Sequence, residues 1–126
     1  MDSADAIVII GAGSTGSSTA FHLAKSGKKV ILVDSGQVAS GMTSKSTALV
    51  RTHYSNEIVA RMALYSLRML SEEVDSHFVN SGMVILASEN EKAGIESNLE
   101  MLKRIGVDTY SLDLSNAKSQ FPELNF

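Results

Sequence analysis

The stretch Ile7-Val-Ile-Ile-Gly11-Ala-Gly13-Ser-Thr-Gly16 decides the fold of this chain. An apolar run typical of a buried β-strand stops at a glycine, and the spacing Gly-x-Gly-x-x-Gly follows at once. In a strand-to-helix turn, Gly11 would allow the tight reversal, Gly13 would let a pyrophosphate approach the backbone, and Gly16 would let the helix pack closely on the strand. The unpaired amides and the dipole of such a helix favour an anion at its first turn.

The residues after the glycines complete a β-α-β pattern. A helix is predicted over Ser14–Ser26, because apolar residues recur on one face and Gly27 suits the position just past a helix end. A second strand is predicted over Val30–Val33, and it ends at Asp34. An acidic residue about 20 residues after the glycines is placed to accept the ribose hydroxyls of an adenosine. The pattern therefore predicts a dinucleotide-binding unit. The alternative is a glycine-rich turn in which Asp34 caps a later element.

Composition and charge exclude several classes of protein. The 126 residues are 44% apolar and 20% charged, so a core can form. A net charge of −3 without a large basic cluster argues against nucleic-acid binding. The absence of cysteine excludes disulfides, thiol redox chemistry and zinc-thiolate sites. The acidic N-terminus does not resemble a signal peptide, and the apolar runs are too short for a membrane span, so we expect a cytoplasmic protein.

The number of predicted parallel strands is small. A doubly wound dinucleotide domain is built from two mononucleotide-binding halves with about five parallel strands. Only the two strands before Asp34 have the matching pattern in this sequence. We therefore expect the sheet to be completed by polypeptide that is not in this sequence.

The segment from Ser35 to Thr47 is rich in glycine and hydroxyl side chains. Such a segment can supply backbone and side-chain donors to phosphate groups. It is long for a loop inside a compact domain, and long ordered loops are usually functional. A ligand-wrapping loop is the favoured interpretation, and a solvated linker is the alternative.

Alternating helices and strands are predicted for the rest of the chain. The expected elements are a helix from Glu57 to about Asp75, a strand over Asn80–Ala87, a helix that follows Ser88 and closes at Gly106, a strand over Thr109–Leu112 and a helix over Ser115–Gln120. The change of pattern near Asn80 predicts two domains, residues 1–78 and residues 79–126. The second would be the start of a mixed α+β subdomain on the substrate side.

Two further blocks point to a family. Together with the glycine block, Ser40-Gly41-Met-Thr-Ser-Lys-Ser-Thr47 and Arg51-Thr-His53-Tyr54 resemble the N-terminal part of the D-amino-acid-oxidase-like flavoproteins. This group includes sarcosine oxidase β subunits, dimethylglycine dehydrogenases and glycine oxidases. The resemblance implies an incomplete Rossmann-like FAD-binding unit of class α/β. It also implies an oxidoreductase that oxidises the C–N bond of a small amine or amino acid by hydride transfer to flavin.

The resemblance assigns candidate site residues by position. Arg51 falls where relatives hold the substrate carboxylate, and the alternative for Arg51 is a structural salt bridge. His53 is more typical of a structural residue than of a base. The residues implied to contact FAD are Gly11, Ala12, Gly13, Ser14, Thr15, Gly16, Asp34, Ser35, Gly41, Met42, Thr43, Ser46 and Thr47.

The chain departs from its family in the residue that would attach the cofactor. Some relatives bind FAD covalently through a histidine in this loop, where this chain has Leu49, or through a cysteine, of which it has none. FAD is therefore expected to be noncovalent. Two other functions stay open: half of an NAD-dependent dehydrogenase, and a non-catalytic cofactor-binding subunit or truncated product. In every case the chain is expected to need a complementary chain or further C-terminal sequence, and to be inactive alone.

Overall fold

The computed structural model describes residues 5–72 and 78–125. The chain divides into two compact units, Met1–Leu49 and Val50–Phe126. The α/β class is confirmed, because a short parallel sheet is combined with helices. The predicted domain boundary between residues 78 and 79 stays a prediction.

The first unit contains the predicted β-α-β pattern. Strand β1 (Ile7–Ile10), helix α1 (Ser14–Lys25) and strand β2 (Val30–Val33) follow one another along the chain. The two strands pair in parallel, with Ile7 opposite Val30 and Ile10 opposite Val33. The prediction of two strands joined by one helix is confirmed, and it places the glycine turn at the carboxyl end of β1.

Helix α1 ends as its sequence predicts. Gly27 has a φ of +80°, in the left-handed region that glycine tolerates best. Its amide donates to the Ala24 carbonyl, and the Lys28 amide donates to the Leu23 carbonyl. These two bonds form a Schellman motif, which satisfies carbonyls of the last helical turn and turns the chain towards β2.

The described residues of the second unit form three α-helices. Helix α2 spans Glu57–Glu72, helix α3 spans Lys92–Arg104 and helix α4 spans Leu114–Gln120. A single 3₁₀ turn, Glu89–Glu91, leads into α3. The predicted end of α2 near Asp75 lies outside the described residues. In the part of the chain that the structure describes, no helix is both long and apolar enough to cross a membrane.

A small apolar core joins α2 to α3. Its buried members are Ala60, Met101, Leu102 and Ile105, with Tyr54 and Val107 packed against them. Glu57 of α2 accepts from Arg61 at 2.8 Å and from Arg104 of α3 at 2.8 Å. These ion pairs lie at the surface, where such contacts add little stability. The apolar cluster therefore contributes most of the attachment between the two helices.

The two strands predicted for the second unit are wrong. The structure has no strand over Asn80–Ala87 or Thr109–Leu112, because no neighbouring strand pairs with either segment within residues 5–72 and 78–125. The Ser81 amide instead donates to the Val79 carbonyl at 3.1 Å, and Gly82 has a φ of +72°. The apolar pattern alone does not make a strand, because a strand needs a hydrogen-bonding partner.

Candidate functional site

The glycine turn brings the start of α1 against the end of β1. Gly11 has a φ of +104°, and its amide donates to the Val33 carbonyl at 2.7 Å. A Cβ built on Gly16 would overlap the carbonyl oxygen of Gly11 and lie 3.5 Å from the Cγ2 atom of Ile9. The close approach of helix and strand is therefore possible only with glycine at position 16.

The first turn of α1 presents free donors to a cleft. Among the described residues, no acceptor is found for the amides of Thr15 and Gly16, whereas the Ser14 amide donates to Thr43 Oγ1 at 3.0 Å. The cleft beside them has a volume of about 480 Å³. Predicted site residues that line it include Gly11, Gly13, Thr15, Gly16, Met42 and Thr43. Two free amides at a helix N-terminus attract an anion.

Asp34 lies at the tip of β2 and binds the glycine turn. Its Oδ2 accepts from the Ala12 amide at 2.7 Å, and its Oδ1 accepts from the Gly36 amide at 2.8 Å. These bonds, with the Ala12 amide first, hold the pKa of Asp34 below its usual value of 3.8. Because the folded-state pKa is lowered, the stability from these bonds is present above that usual value and is lost as pH falls through the lowered pKa.

The loop after Asp34 is docked on the glycine turn. The Ala39 amide donates to the carbonyl of buried Ala12 at 3.0 Å, and Ala39 has a φ of +62°. A 3₁₀ turn over Thr43–Lys45 then places Thr43 against α1. These contacts favour the ligand-wrapping interpretation over a solvated linker, because the loop is held by specific hydrogen bonds.

Six predicted cofactor contacts do not line the cleft: Ala12 and Asp34, which bond to each other beside it, and four residues of the loop, Ser35, Gly41, Ser46 and Thr47. Ser35 and Thr47 are exposed, and the Gly41 carbonyl accepts from Ser44 Oγ at 3.1 Å. Ser46 Oγ accepts from the Ala48 amide at 3.0 Å in a local turn. Their part in cofactor binding stays a prediction.

The residues of the first unit fit one end of FAD. The free amides of Thr15 and Gly16 suit the charge of a pyrophosphate. The turn at Gly11 leaves room for its approach, because a Cβ built there would meet nothing within 4 Å. Each oxygen of the Asp34 carboxylate accepts one backbone amide hydrogen and keeps a further lone pair. These lone pairs suit the hydroxyl groups of a ribose.

Arg51 lies in a second cleft, formed within the second unit. The cleft has a volume of about 530 Å³. The guanidinium carbon of Arg51 lies 4.8 Å from the centre of the Tyr54 ring, which is the geometry of a cation–π contact. Among the described residues, no carboxylate forms an ion pair with Arg51. The alternative interpretation, a structural salt bridge, is therefore not supported, because the Arg51 guanidinium has no acidic partner in the part of the chain that the structure describes.

His53 is joined to α3 in the same cleft. Its Nε2 lies 3.0 Å from the amide nitrogen of Asn98, and Asn98 Oδ1 is buried without a hydrogen-bond partner among the described residues. Burial, and then the nearby charge of Arg51, lower the pKa of His53 below 6.5. The lowered pKa favours the neutral imidazole, whose unprotonated Nε2 can accept a hydrogen from the Asn98 amide. Sequence reasoning missed Asn98, because no pattern marks a lone asparagine inside a helix.

Comparison with known proteins identifies the family. The family described as DAO, FAD dependent oxidoreductase, matches residues 6–126. Human mitochondrial sarcosine dehydrogenase is 25% identical over 94% of this chain and 14% of its own length. Mouse peroxisomal sarcosine oxidase is 28% identical over 94% of this chain and 32% of its own length. The sarcosine oxidase subunit beta of Rhodobacter capsulatus is 27% identical over 94% of this chain and 31% of its own length.

The chain thus spans between 14% and 32% of the length of these relatives. No solved structure matches it significantly. The family match covers nearly the whole chain, including the glycine turn, Asp34 and Arg51, and the family is FAD dependent. The chain belongs to the DAO family of FAD-dependent oxidoreductases.

Proposed function

We propose that this chain forms the adenosine and pyrophosphate end of the FAD site in an enzyme that oxidises a small amine or amino acid. The observation that carries the proposal is the first turn of α1, where free amides of Thr15 and Gly16 face a cleft beside a turn that only glycine permits at position 16. The names of the relatives, sarcosine dehydrogenase and sarcosine oxidase, support an N-methylated amino acid as the kind of substrate.

Each part of the first unit would have a separate task. The turn from Gly11 to Gly16, with Ala12 and Ser14 between, would hold the pyrophosphate, and Asp34 would accept from the ribose hydroxyls. The loop residues Ser35, Gly41, Met42, Thr43, Ser46 and Thr47 would follow the cofactor towards its ribityl chain. Bound flavin would supply the hydride acceptor for the C–H bond next to the substrate nitrogen.

Arg51 would bind the carboxylate of the substrate. Its guanidinium is held against Tyr54 without an acidic partner among the described residues, so both of its terminal N–H groups can serve a ligand. The lowered pKa of His53 beside it favours the uncharged imidazole, which would leave Arg51 as the main positive charge of the cleft. A single planar cation suits a single carboxylate.

Competition between nucleotides tests the assignment of the first cleft. FAD should bind the protein, and ADP should compete with it, because ADP carries the adenosine and pyrophosphate groups. FMN lacks both groups and should compete at least about tenfold more weakly, since losing charged hydrogen bonds costs that much or more. Equal competition by FMN and ADP would contradict the proposal.

A second candidate function is a non-catalytic FAD-binding subunit. It is favoured by the relative named as a subunit, sarcosine oxidase subunit beta. In this case substrate would never reduce the bound flavin, even with a complementary chain present. The cytoplasmic location also stays a prediction.

Replacing Asp34 by asparagine should weaken FAD binding by about tenfold or more, because asparagine is neutral and puts an NH2 donor where one of the two accepting oxygens stood. Isothermal titration with FAD measures the change. Asp113→Asn is a matched control, because Asp113 is also exposed and also accepts backbone hydrogen bonds, but at the start of α4. Equal FAD affinity of the Asp34 variant and the wild type would remove Asp34 from the site.

Replacing Arg51 by lysine in the complete enzyme should lower kcat/KM for a carboxylated amine by about tenfold or more, because lysine keeps the charge but loses the planar pair of donors. FAD content should stay unchanged. Arg61→Lys is the control, since Arg61 pairs with Glu57 on the surface of α2. If Arg51→Lys lowers the FAD content and the yield of soluble protein as much as it lowers kcat/KM, the result would support a structural role for Arg51.

The flavin should be noncovalent, because the family resemblance puts Leu49 at the position of the attached histidine and these 126 residues contain no cysteine. Acid precipitation of the FAD-loaded protein should release all of the yellow colour into the supernatant. Flavin fluorescence that stays with the protein band on a denaturing gel would contradict this expectation.

A further inference from the structure

Helix α1 has no N-cap side chain of its own. The N-cap residue is Gly13, which makes no side-chain hydrogen bond. Serine, threonine, aspartate and asparagine are preferred at that position, because their oxygen accepts from an amide of the first turn. The sequence instead places glycine there, so the acceptor must come from elsewhere.

The acceptor comes from the loop that follows β2. Thr43 Oγ1 accepts from the Ser14 amide at 3.0 Å across a sequence separation of 29 residues, and it lies 3.4 Å from Ser14 Oγ. Thr43 is partly buried within a 3₁₀ turn. The loop is also anchored by the bond from the Ala39 amide to the Ala12 carbonyl. Thr43 is thus held in place by a second, independent contact of the loop.

The same hydroxyl gives a second reason for glycine at position 13. A Cβ built on Gly13 would lie 3.0 Å from Thr43 Oγ1, closer than ordinary van der Waals contact. The space beside Gly13 is therefore already used inside the protein. The close approach of a pyrophosphate is not the whole explanation for this glycine.

We propose that Thr43 is a positioning residue that serves as the N-cap of α1 from a distance and docks the loop of residues 35–47 on the glycine turn through contacts within the protein. Gly13 leaves room for this hydroxyl beside the Ser14 amide, since a Cβ at position 13 would push it away by a few tenths of an ångström. The amides of Thr15 and Gly16 are left for the anion. Only the role of the Thr15 and Gly16 amides in anion binding rests on the proposed function, because the cap itself is a contact within the protein.

Hydrogen exchange of the 126-residue chain without FAD tests the cap. Thr43→Val removes the hydroxyl at nearly constant volume, and the Ser14 amide should then exchange about fivefold faster or more, the effect of losing one helix cap. Thr43→Ser keeps the hydroxyl and should keep the protection. Thr47→Val is the control for removing a hydroxyl from the same loop, and it should leave Ser14 unchanged. An unchanged rate in Thr43→Val, or equal loss in Thr43→Ser, would overturn the proposal.

A double-variant cycle tests the link to Gly13. Gly13→Ala alone should raise Ser14 exchange, because its methyl group displaces the hydroxyl. In a Thr43→Ala background the cap is already absent, so adding Gly13→Ala should have little further effect. Additive effects of the two changes would show that Gly13 and Thr43 act independently, and would overturn the proposal.

FAD titration separates this proposal from the proposed function. If the wild-type chain shows the protected Ser14 amide and the coupling to Gly13 but fails to bind FAD, the cap stands and the cofactor assignment fails. If FAD binds but Ser14 is equally unprotected in the wild type and in Thr43→Val, the cofactor assignment stands and the cap fails.

Discussion

The Gly16→Ala variant should lose the folded state of the first unit and, with it, FAD binding. A methyl group at this position would overlap the Gly11 carbonyl oxygen, which is backbone and cannot rotate away as a side chain does. Either α1 moves off β1 or the glycine turn rearranges. Overpacking of this kind costs about 3 kcal/mol or more, against a total stability of about 5–15 kcal/mol for an ordinary domain.

Protease resistance of the first unit and FAD affinity measure this effect. Gly94→Ala is the matched control, because Gly94 lies inside α3, a Cβ there would meet nothing within 4 Å, and its φ is not positive. Alanine in a helix interior is about 0.5–1 kcal/mol more favourable than glycine, so this variant should be slightly stabilised. A Gly16→Ala protein with wild-type protease resistance would refute the close packing of α1 on β1.

The first unit could be predicted from sequence because its signals are local. Gly11, Gly16 and Gly27 fix the turn, the helix packing and the helix end, and each lies within a few residues of the element it controls. The acidic residue at the tip of β2 was also found by spacing alone. The structure adds that Asp34 binds the glycine turn itself, through the Ala12 amide.

The features that were missed depend on distant partners. The segment Asn80–Ala87 has the apolar pattern of a strand, but pairing is decided by other parts of a sheet and not by the segment itself. The contact of His53 with Asn98 joins residues 45 apart, and Thr43 reaches Ser14 across 29. No periodicity or motif connects residues at such separations.

The 126-residue chain alone should self-associate and show no amine-dependent reduction of flavin. Its strands leave apolar side chains uncovered: Val8 is 57% exposed and Ile10 is 86% exposed. In the second unit, two apolar side chains of the segment Asn80–Ala87 are also uncovered: Met83 is 55% exposed and Leu86 is 66% exposed. Within the described residues, each strand of the sheet also has one edge without a neighbour. Open edges and apolar patches of this kind drive association.

Light scattering and two surface variants locate the cause of this association. Val8 on β1 and Leu114 on α4 are both 57% exposed, so lysine at either position adds the same charge to an equally exposed site. Val8→Lys should raise the monomer fraction more than Leu114→Lys, because Val8 belongs to the open sheet. Equal effects of the two variants would assign the association to surface charge in general.

We expect no activity from these 126 residues because of what the first unit offers to a flavin. The described residues that line its cleft belong to the end of β1, the glycine turn, the start of α1 and the Met42–Thr43 segment, and they offer donors for a pyrophosphate. A flavin ring also needs surrounding walls that exclude water, and we expect those from other polypeptide. The chain with added FAD, kept free of oxygen and mixed with sarcosine, glycine or other simple amino acids, should keep its flavin absorption band. Bleaching of that band by a monodisperse monomer would show that these 126 residues are a self-contained flavoenzyme, and a chain supplying the remaining walls would then not be needed.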